Sequence, residues 1–331
     1  MSDRSRQSAS LPAIALLAIA AVLFLTPLAW MVYTSTLTPS AAAGGGDSAS
    51  DGASANDGAS ANDGPIAAPA DPETSPKVPT DPENGLAHTP TQTQEHIRRL
   101  GPIGQAAANY TDVWNDPAVF FPLYLRNTLI VAFLSVAGMV LSSAVAAYGF
   151  ARLRFRGRAA MFALLLATMM IPFPVIMGPL YIMFGKVGWI GTLKPLWVPA
   201  WFGGAFNIFL LRQFFMQIPK ELDEAATIDG CSHWGIFWRI IMPLSRPALA
   251  VVALFHFIYV WNDFLAPLIF LTHRDDFTLA LGLQLYQSKS GNTPWNLLMA
   301  ASTMVIAPVF LVFLLARRQL ISGMAGAGLK E

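Results

Sequence analysis

A single cysteine, Cys231, occurs in the 331 residues, which excludes an internal disulfide framework and any cysteine-rich metal cluster. Charge is scarce as well. Asp, Glu, Lys and Arg make up 12% of the chain, against roughly 25% in an average soluble domain. A net charge of +1 leaves no basic surplus for nucleic-acid binding. The five histidines are scattered and form no HExxH or similar paired spacing, so nothing points to a metal centre. The phosphate-cradling pattern GxxxxGK followed by Ser or Thr is absent too. The nearest string, GPLYIMFGKV (178–187), has the wrong spacing and lacks a hydroxyl after Lys186.

What the chain has in abundance is apolar sequence, 54% of the whole. A membrane-crossing helix needs about 20 mostly apolar residues. Six runs meet that length, at 11–33, 126–150, 160–184, 193–215, 247–271 and 296–316. The first follows Arg4 and Arg6, and its apolar stretch exceeds the roughly 7–15 residues of a secretory signal. A retained anchor is therefore expected, although Ala41–Ala43 offers small residues of the kind a signal peptidase uses. Lys and Arg concentrate on the cytoplasmic side of membrane proteins. With the N-terminus inside, 13 of the 21 Lys and Arg fall in inner segments, four of them in the short connection ARLRFRGR (151–158). The expected fold is thus an all-α integral membrane protein with six transmembrane helices and both termini cytoplasmic. Residues 1–10 form the cytoplasmic N-terminus, 11–33 the first helix, 109–320 the main transmembrane domain and 321–331 a cytoplasmic tail.

Residues 34–108 are made of different material. DGASAN occurs twice in 51–62 and a further Asp-Gly follows, with PADPETSPKVPTDPENG close behind. Recurrent oxygen ligands leave calcium binding open, but the segment lacks the apolar content that offsets ordering entropy. An external, disordered and proline-stiffened insert is the plainer reading. Order is expected to return near NYTDVWNDPAVFFPLYLRN (109–127). There Trp114, Phe120, Phe121 and Tyr124, with Trp295, read as an interfacial aromatic belt or as a surface for an external protein.

One stretch between apolar runs neither spans nor reads as loose loop: PKELDEAATIDGCSHWGIFWRIIMPLSRPAL (219–249). Pro219 suits a first helical position, where its missing N–H costs nothing. Glu221, Asp223 and Glu224 then complement the helix dipole. Ala225 and Ala226 extend the helix with little bulk, and Gly230 stands where a C-terminal reversal belongs. Ser232 can cap a second helix, HWGIFWRIIM, which Pro243 helps to end. The expected shape is helix, turn, helix, with Trp234, Phe237 and Trp238 at the membrane boundary or against the bundle. It is either a docking element for another protein or an amphipathic connection that seals the bundle.

Here the chain resembles a known family. Glu224-Ala225-Ala226, three residues, Gly230, nine residues, then Ile240-Ile241-Met242-Pro243 resembles the EAA-loop signature of permease subunits of binding-protein-dependent ABC importers. Met242 stands where that pattern usually has Leu, a nearly volume-conserving change. RNTLIVAFLS and AAYGFARLRFRGR, then WNDFLAPLIFL, PWNLLMAAS and LISGMAGAGLK, are similar to the carbohydrate-uptake branch and its maltose-type second permease. The resemblance covers 109–331 and the first span, not the insert. It implies the type I ABC importer permease fold and an EAA coupling loop over about 217–245. Glu224, Ala225, Ala226 and Gly230 would touch a cytoplasmic ATPase, with Asp229 a further candidate, and Ile240 and Pro243 would set the second helix. It also implies an ATP-binding subunit dimer, a homologous second permease and an extracytoplasmic solute-binding protein as partners. This chain would bind no cofactor and would have no ATPase site of its own, with ATP used by the partner subunit. Membrane lipid is a further expected partner, and nucleic acid is not.

Polar groups in the apolar runs leave other functions open. His256, Asn262 and Asp263 lie in the fifth run, and a carboxylate at membrane depth is costly. Asn262 and Asp263 are candidates for the solute path or a proton relay, or for a hydrogen-bonded contact that holds the bundle or its partner subunit. Pro172, Pro174 and Pro179 are expected to bend the third run, and Pro267 stands near the outer end of the fifth. An importer permease for a sugar, oligosaccharide or glycerol-phosphate-like solute is the leading reading. A permease for a polyamine or amino acid is the nearest alternative. An ion-coupled secondary transporter needs several paired midplane charges and inverted halves, neither of which is visible. A membrane enzyme comes last, since no Ser/His pair or carboxylate cluster sits at membrane depth.

Overall fold

The sequence FPLYLRNTLIVAFLSVAGMVLSSAVAAYGFAR mixes large apolar residues with Ala, Gly and Ser, and small residues let neighbouring membrane helices approach closely. In the computed structural model it forms one continuous helix of 32 residues, Phe121–Arg152. The described residues are 25–38, 42, 102–116, 119–287 and 293–325. Helix α1 covers 25–35, α2 is Pro102–Asn115 and α3 is Phe121–Arg152. Next come α4, Arg158–Thr168, and α5, Phe173–Lys186. The short α6, Lys194–Trp197, leads through a 3₁₀ turn, Val198–Phe202, into α7, Ala205–Gln217. Then follow α8, Glu221–Ile228, α9, His233–Leu244, and α10, Arg246–Trp261. Finally α11 is Leu265–Phe270, α12 is Leu279–Gly282 and α13 is Trp295–Ala325. No strand occurs among the described residues.

Helix α3 is the central strut. It packs along α7, α10 and the 3₁₀ turn, and α10 in turn packs on α13. At Gly138 an added Cβ would stand 2.4 Å from Trp201 Cδ1, so the absent side chain is what lets the 3₁₀ turn lie against α3. Beside it Ser142 Oγ donates to the Ala200 carbonyl (3.2 Å), and Gly204 N–H donates to Ser143 Oγ (3.4 Å).

Two hydrophobic cores occupy opposite ends of the bundle. One joins Tyr148, Leu211 and Phe215 to Ala226, Phe237 and Ile241 of the loop after α7. The other gathers Val113, Tyr124, Trp261 and Ala301. Around the second core Asn109 is a hub. Its Nδ2 donates to the carbonyls of Ser35 (2.7 Å) and Leu37 (3.0 Å), and its Oδ1 accepts from Asn296 Nδ2 (2.9 Å) and Gln105 Nε2 (3.2 Å). Helices α1, α2 and α13 are thereby pinned together.

The folded chain departs from several of the expected elements. Two described helices are long and apolar enough to cross a membrane alone, Phe121–Arg152 and the Trp295–Arg317 part of α13. The third run is broken: α4 and α5 meet at 96°, at Pro172, which lacks an N–H and is itself extended (ψ 144°). Pro179 sits inside α5 without breaking it. The fourth run is three pieces, interrupted by Pro195, Pro199, Gly203 and Gly204. The fifth run, 247–271, begins inside α10, just after the 77° bend between α9 and α10, and is interrupted at Asn262–Phe264. Most of the run at 11–33, the 51–62 repeat and the 326–331 tail lie outside the described residues. Helical order resumes at Pro102 rather than near Asn109. Of the aromatics assigned to an interfacial belt, Trp114, Phe120 and Trp295 are exposed, whereas Phe121 and Tyr124 are buried in the second core.

Candidate functional site

The segment between α7 and α10 folds as a helix, a tight reversal and a second helix. Helix α8 carries Glu221, Asp223 and Glu224 in its first turn, where the unpaired N–H groups and the macrodipole favour carboxylates. Its first residue is Glu221, capped by Lys220, so Pro219 lies outside the helix rather than at the first helical position. Ile218 is extended (φ −69°, ψ 130°), the conformation a following proline imposes. The other end is a two-bond reversal. Gly230 N–H donates to the Thr227 carbonyl (3.0 Å) and Cys231 N–H to the Ala226 carbonyl (2.9 Å), with Gly230 at φ 83°. This is the Schellman arrangement, and it needs the left-handed conformation that glycine adopts without strain.

Helix α9 opens on Ser232, whose Oγ accepts from Gly235 N–H at 3.2 Å. Its middle, Phe237–Ile241, widens into a π-helical turn. Pro243 was expected to end the helix, but helical geometry continues to Leu244. Pro243 has no N–H to offer the carbonyl four residues back, and a wider turn ahead of it accommodates that gap. Phe237 and Ile241 fill the first core, while Trp234 and Trp238 are exposed.

The residues singled out from the sequence divide by face. Glu224, Ala225, Asp229, Gly230 and Pro243 are exposed. Ala226 is buried and Ile240 packs against the first core, so these two hold the loop onto the bundle. Two further groups complete the outer face. Leu222 and Ile228 are both exposed, Ile228 to 87%, an apolar pair on a short helix with nothing covering it among the described residues. An apolar residue among helix acids reads in sequence as an ordinary core contact, which is why the pair escaped notice.

Beneath α8 lies a buried charge. The Arg152 side chain is 4% exposed and its Nη1 stands 3.4 Å from Asp223 Oδ2. Its Nη2 donates to the carbonyls of Phe215 and Ile218, both at 2.7 Å. One guanidinium thus joins the end of α3, the end of α7 and the first turn of α8. Burial pushes the Asp223 carboxyl above its usual 3.8, with Glu224 raising it further and Arg152 and His233 pulling it down. An open cavity of about 1260 Å³ adjoins this contact, lined by Arg154, Arg158, Arg212 and Lys220 with Asp223 and Glu224.

The polar groups of the fifth run lie apart from the loop. Asn262 Nδ2 donates to the Ile258 carbonyl (2.8 Å), and Asp263 Oδ1 accepts from Ala266 N–H (3.2 Å). Both side chains therefore satisfy the backbone where α10 stops and α11 starts. His256 Nε2 and Ser135 Oγ are 2.8 Å apart, bonding α10 to α3. Asp263, His256 and Tyr259 also line a small cavity of about 200 Å³.

An all-helical bundle with two membrane-length helices and two bent pairs, presenting a short acidic helix ahead of a glycine reversal, has the form of a helical membrane protein. Residues 138–325 match the family profile described as "Binding-protein-dependent transport system inner membrane component". The chain is 38% identical over 224 residues to a trehalose/maltose transport system permease of Thermococcus litoralis, covering 67% of this chain and 80% of that one. It is 33% identical over 222 residues to an arabinooligosaccharides transport system permease of Bacillus subtilis, covering 67% and 78%. The fold is also that of a solved bacterial ABC transporter involved in the import of the acidic polysaccharide alginate (TM-score 0.68, 20% identity, 97% and 99% of the two chains). The protein belongs to the binding-protein-dependent transport system inner membrane component family.

Proposed function

We propose that the chain is a permease subunit of an ATP-driven importer in a bacterial inner membrane, carrying a sugar or oligosaccharide. One observation supports this most directly. The α8–Gly230–α9 element is rigidly built and anchored on the bundle, yet it exposes Glu224, Ala225, Asp229 and Gly230 beside uncovered Leu222 and Ile228. That is the geometry of a helix made to sit in another protein's groove. The substrate class rests on relatives named for trehalose/maltose and arabinooligosaccharides.

In this reading the groove belongs to a dimer of ATP-binding subunits, and this chain hydrolyses nothing. A homologous second permease completes the path, and an extracytoplasmic solute-binding protein delivers the solute. Residues 217–245 face the cytoplasm, as do both termini, and 34–108 with 272–295 face out. The ATPase dimer closes on ATP, drags α8, and thereby shifts the bundle between its two open states. Ile240 and Pro243 hold α9 in place as α8 moves. Asn262 and Asp263 act as structural contacts that break α10 from α11, with Asp263 bordering the solute path.

Copurification of the tagged chain from native membranes tests the assembly, and ATPase measurements in proteoliposomes with the copurified binding protein test the substrate. The expected result is a soluble ATPase and a second permease in the complex, with hydrolysis stimulated by a carbohydrate. A chain that transports without any ATPase bound refutes the reading. Stimulation by a polyamine or amino acid alone refutes the substrate class.

A further inference from the structure

The loop's anchor carries more information than its exposed face. Arg152 closes the 32-residue α3, and its guanidinium reaches two other segments at once. The bonds to Phe215 and Ile218 are short and charge-assisted, 2.7 Å each. The contact to Asp223 is long, 3.4 Å. Around that contact Asp223 Oδ1 and Arg152 Nε and Nη1 are buried with no hydrogen-bond partner. The two halves of the site differ in kind. Toward α7 the arginine satisfies carbonyls that the helix end leaves open, a fixed joint. Toward α8 it holds a carboxylate by charge at a distance that leaves bonding capacity unused on both sides. Buried charges with unmet bonding capacity are costly, and a small displacement of α8 toward α3 would satisfy them.

The geometry points to the Arg152–Asp223 pair as the link that transmits displacement of α8 to α3. Arg152 is the positioning residue, and Asp223 is its handle on the docking helix. This rests on the reading of α8 as the ATPase-docking element and adds how the motion leaves it. The exposed residues of α8 meet the partner, whereas Asp223 on its inner side meets the strut of the bundle. Without the pair, α8 would still dock through its outer face and would move without pulling α3. The apolar contacts of Ala226 with the first core keep α8 in place but have no directional charge to work through.

The test uses the assembled complex in proteoliposomes and reads solute moved per ATP hydrolysed, a ratio that loss of folded material alone leaves unchanged. Asp223→Asn is the primary variant, because it is isosteric and leaves the backbone bonds of α8 in place. Arg152→Lys keeps the charge but loses the fork that reaches both segments. Each is expected to lower the ratio about tenfold, in the range typical of coupling between sites. The double variant is expected to be no worse than the weaker single one, since both remove one shared contact. A ratio within about twofold of wild type for Asp223→Asn overturns the proposal, whatever Arg152→Lys does. A loss confined to Arg152→Lys also overturns it, because the arginine would then act through the α7 carbonyls alone. Failure of the docking reading itself shows separately, as a wild-type chain that binds no ATPase.

Discussion

Replacing Gly230 separates the two things that glycine does. Its φ of 83° is a conformation that costs an ordinary L residue about 1–2 kcal/mol, with Asn and Asp the tolerated exceptions. A Cβ built there meets nothing within 4 Å, so the subunit itself imposes no steric penalty. Backbone strain alone therefore ranks Gly230→Ala as the worst substitution, with Gly230→Asn and Gly230→Asp close to wild type. Occlusion of a partner's groove ranks them in the opposite order, because Asn and Asp are larger and Asp adds a charge. The expected outcome has two parts. In the detergent-purified chain alone, Gly230→Ala lowers stability by about 1 kcal/mol and Gly230→Asn by less. In proteoliposomes, Gly230→Asn and Gly230→Asp lose ATP-driven uptake by about tenfold or more, the equivalent of at least ~1.4 kcal/mol of docking free energy, although both insert normally. Wild-type uptake by a stably inserted Gly230→Asp chain refutes the reasoning. So does uptake that falls in the order of backbone strain, with Ala worst.

Three further outcomes follow from the coordinates. Burial raises the Asp223 carboxyl above 3.8 against the pull of Arg152 and His233, so the folded chain holds that proton more tightly than the unfolded one. This group's contribution to stability therefore rises as pH falls from above the raised folded value toward 3.8, and over that descent wild type should gain on Asp223→Asn in unfolding midpoint; a loss on acidification contradicts it. Gly138→Ala places a methyl 2.4 Å from Trp201 Cδ1 and should cost about 1–3 kcal/mol of thermal stability, so an unchanged midpoint rules out the close approach. Asn109→Ala strands the Ser35 and Leu37 carbonyls and the Asn296 amide, and about 1–3 kcal/mol should be lost with solute moved per ATP unaltered; a wild-type midpoint argues against the hub.

Much of the loop between α7 and α10 was legible because its chemistry is local. Acids in a first turn, a glycine at a reversal and a serine three residues before an N–H it can cap each act within four residues. The helix boundaries followed to within two residues. The proline break in the third run was legible for the same reason. Arg152 was not, since an arginine in a short connection reads as an orientation signal, and its partner Asp223 is brought to it only by the packing of α7. The fragmentation of 193–215 was hidden by its mean hydropathy, which takes no account of how Pro195, Pro199 and the Gly203-Gly204 pair divide the run. The inward turn of Ala226 was equally invisible. The signature treats its two alanines alike, and the helix period puts one on the bundle and the other on solvent.

The Asn109 hub has a consequence for the connection it encloses as well as for the bundle. It clamps the chain where it leaves α1, at Ser35 and Leu37, to the helix by which it returns. Residues 39–101 are thus inserted between two points already held together. For a connection as poor in apolar groups as its composition indicates, each doubling of length costs only about 0.6 kcal/mol. Deleting one DGASAN copy is therefore expected to leave the unfolding midpoint of the bundle unchanged, and a lowered midpoint counts against the clamp. The clamp, rather than the length of the connection, holds the end of α1 to α2 and α13, so the bundle keeps its register independently of how many residues lie between them.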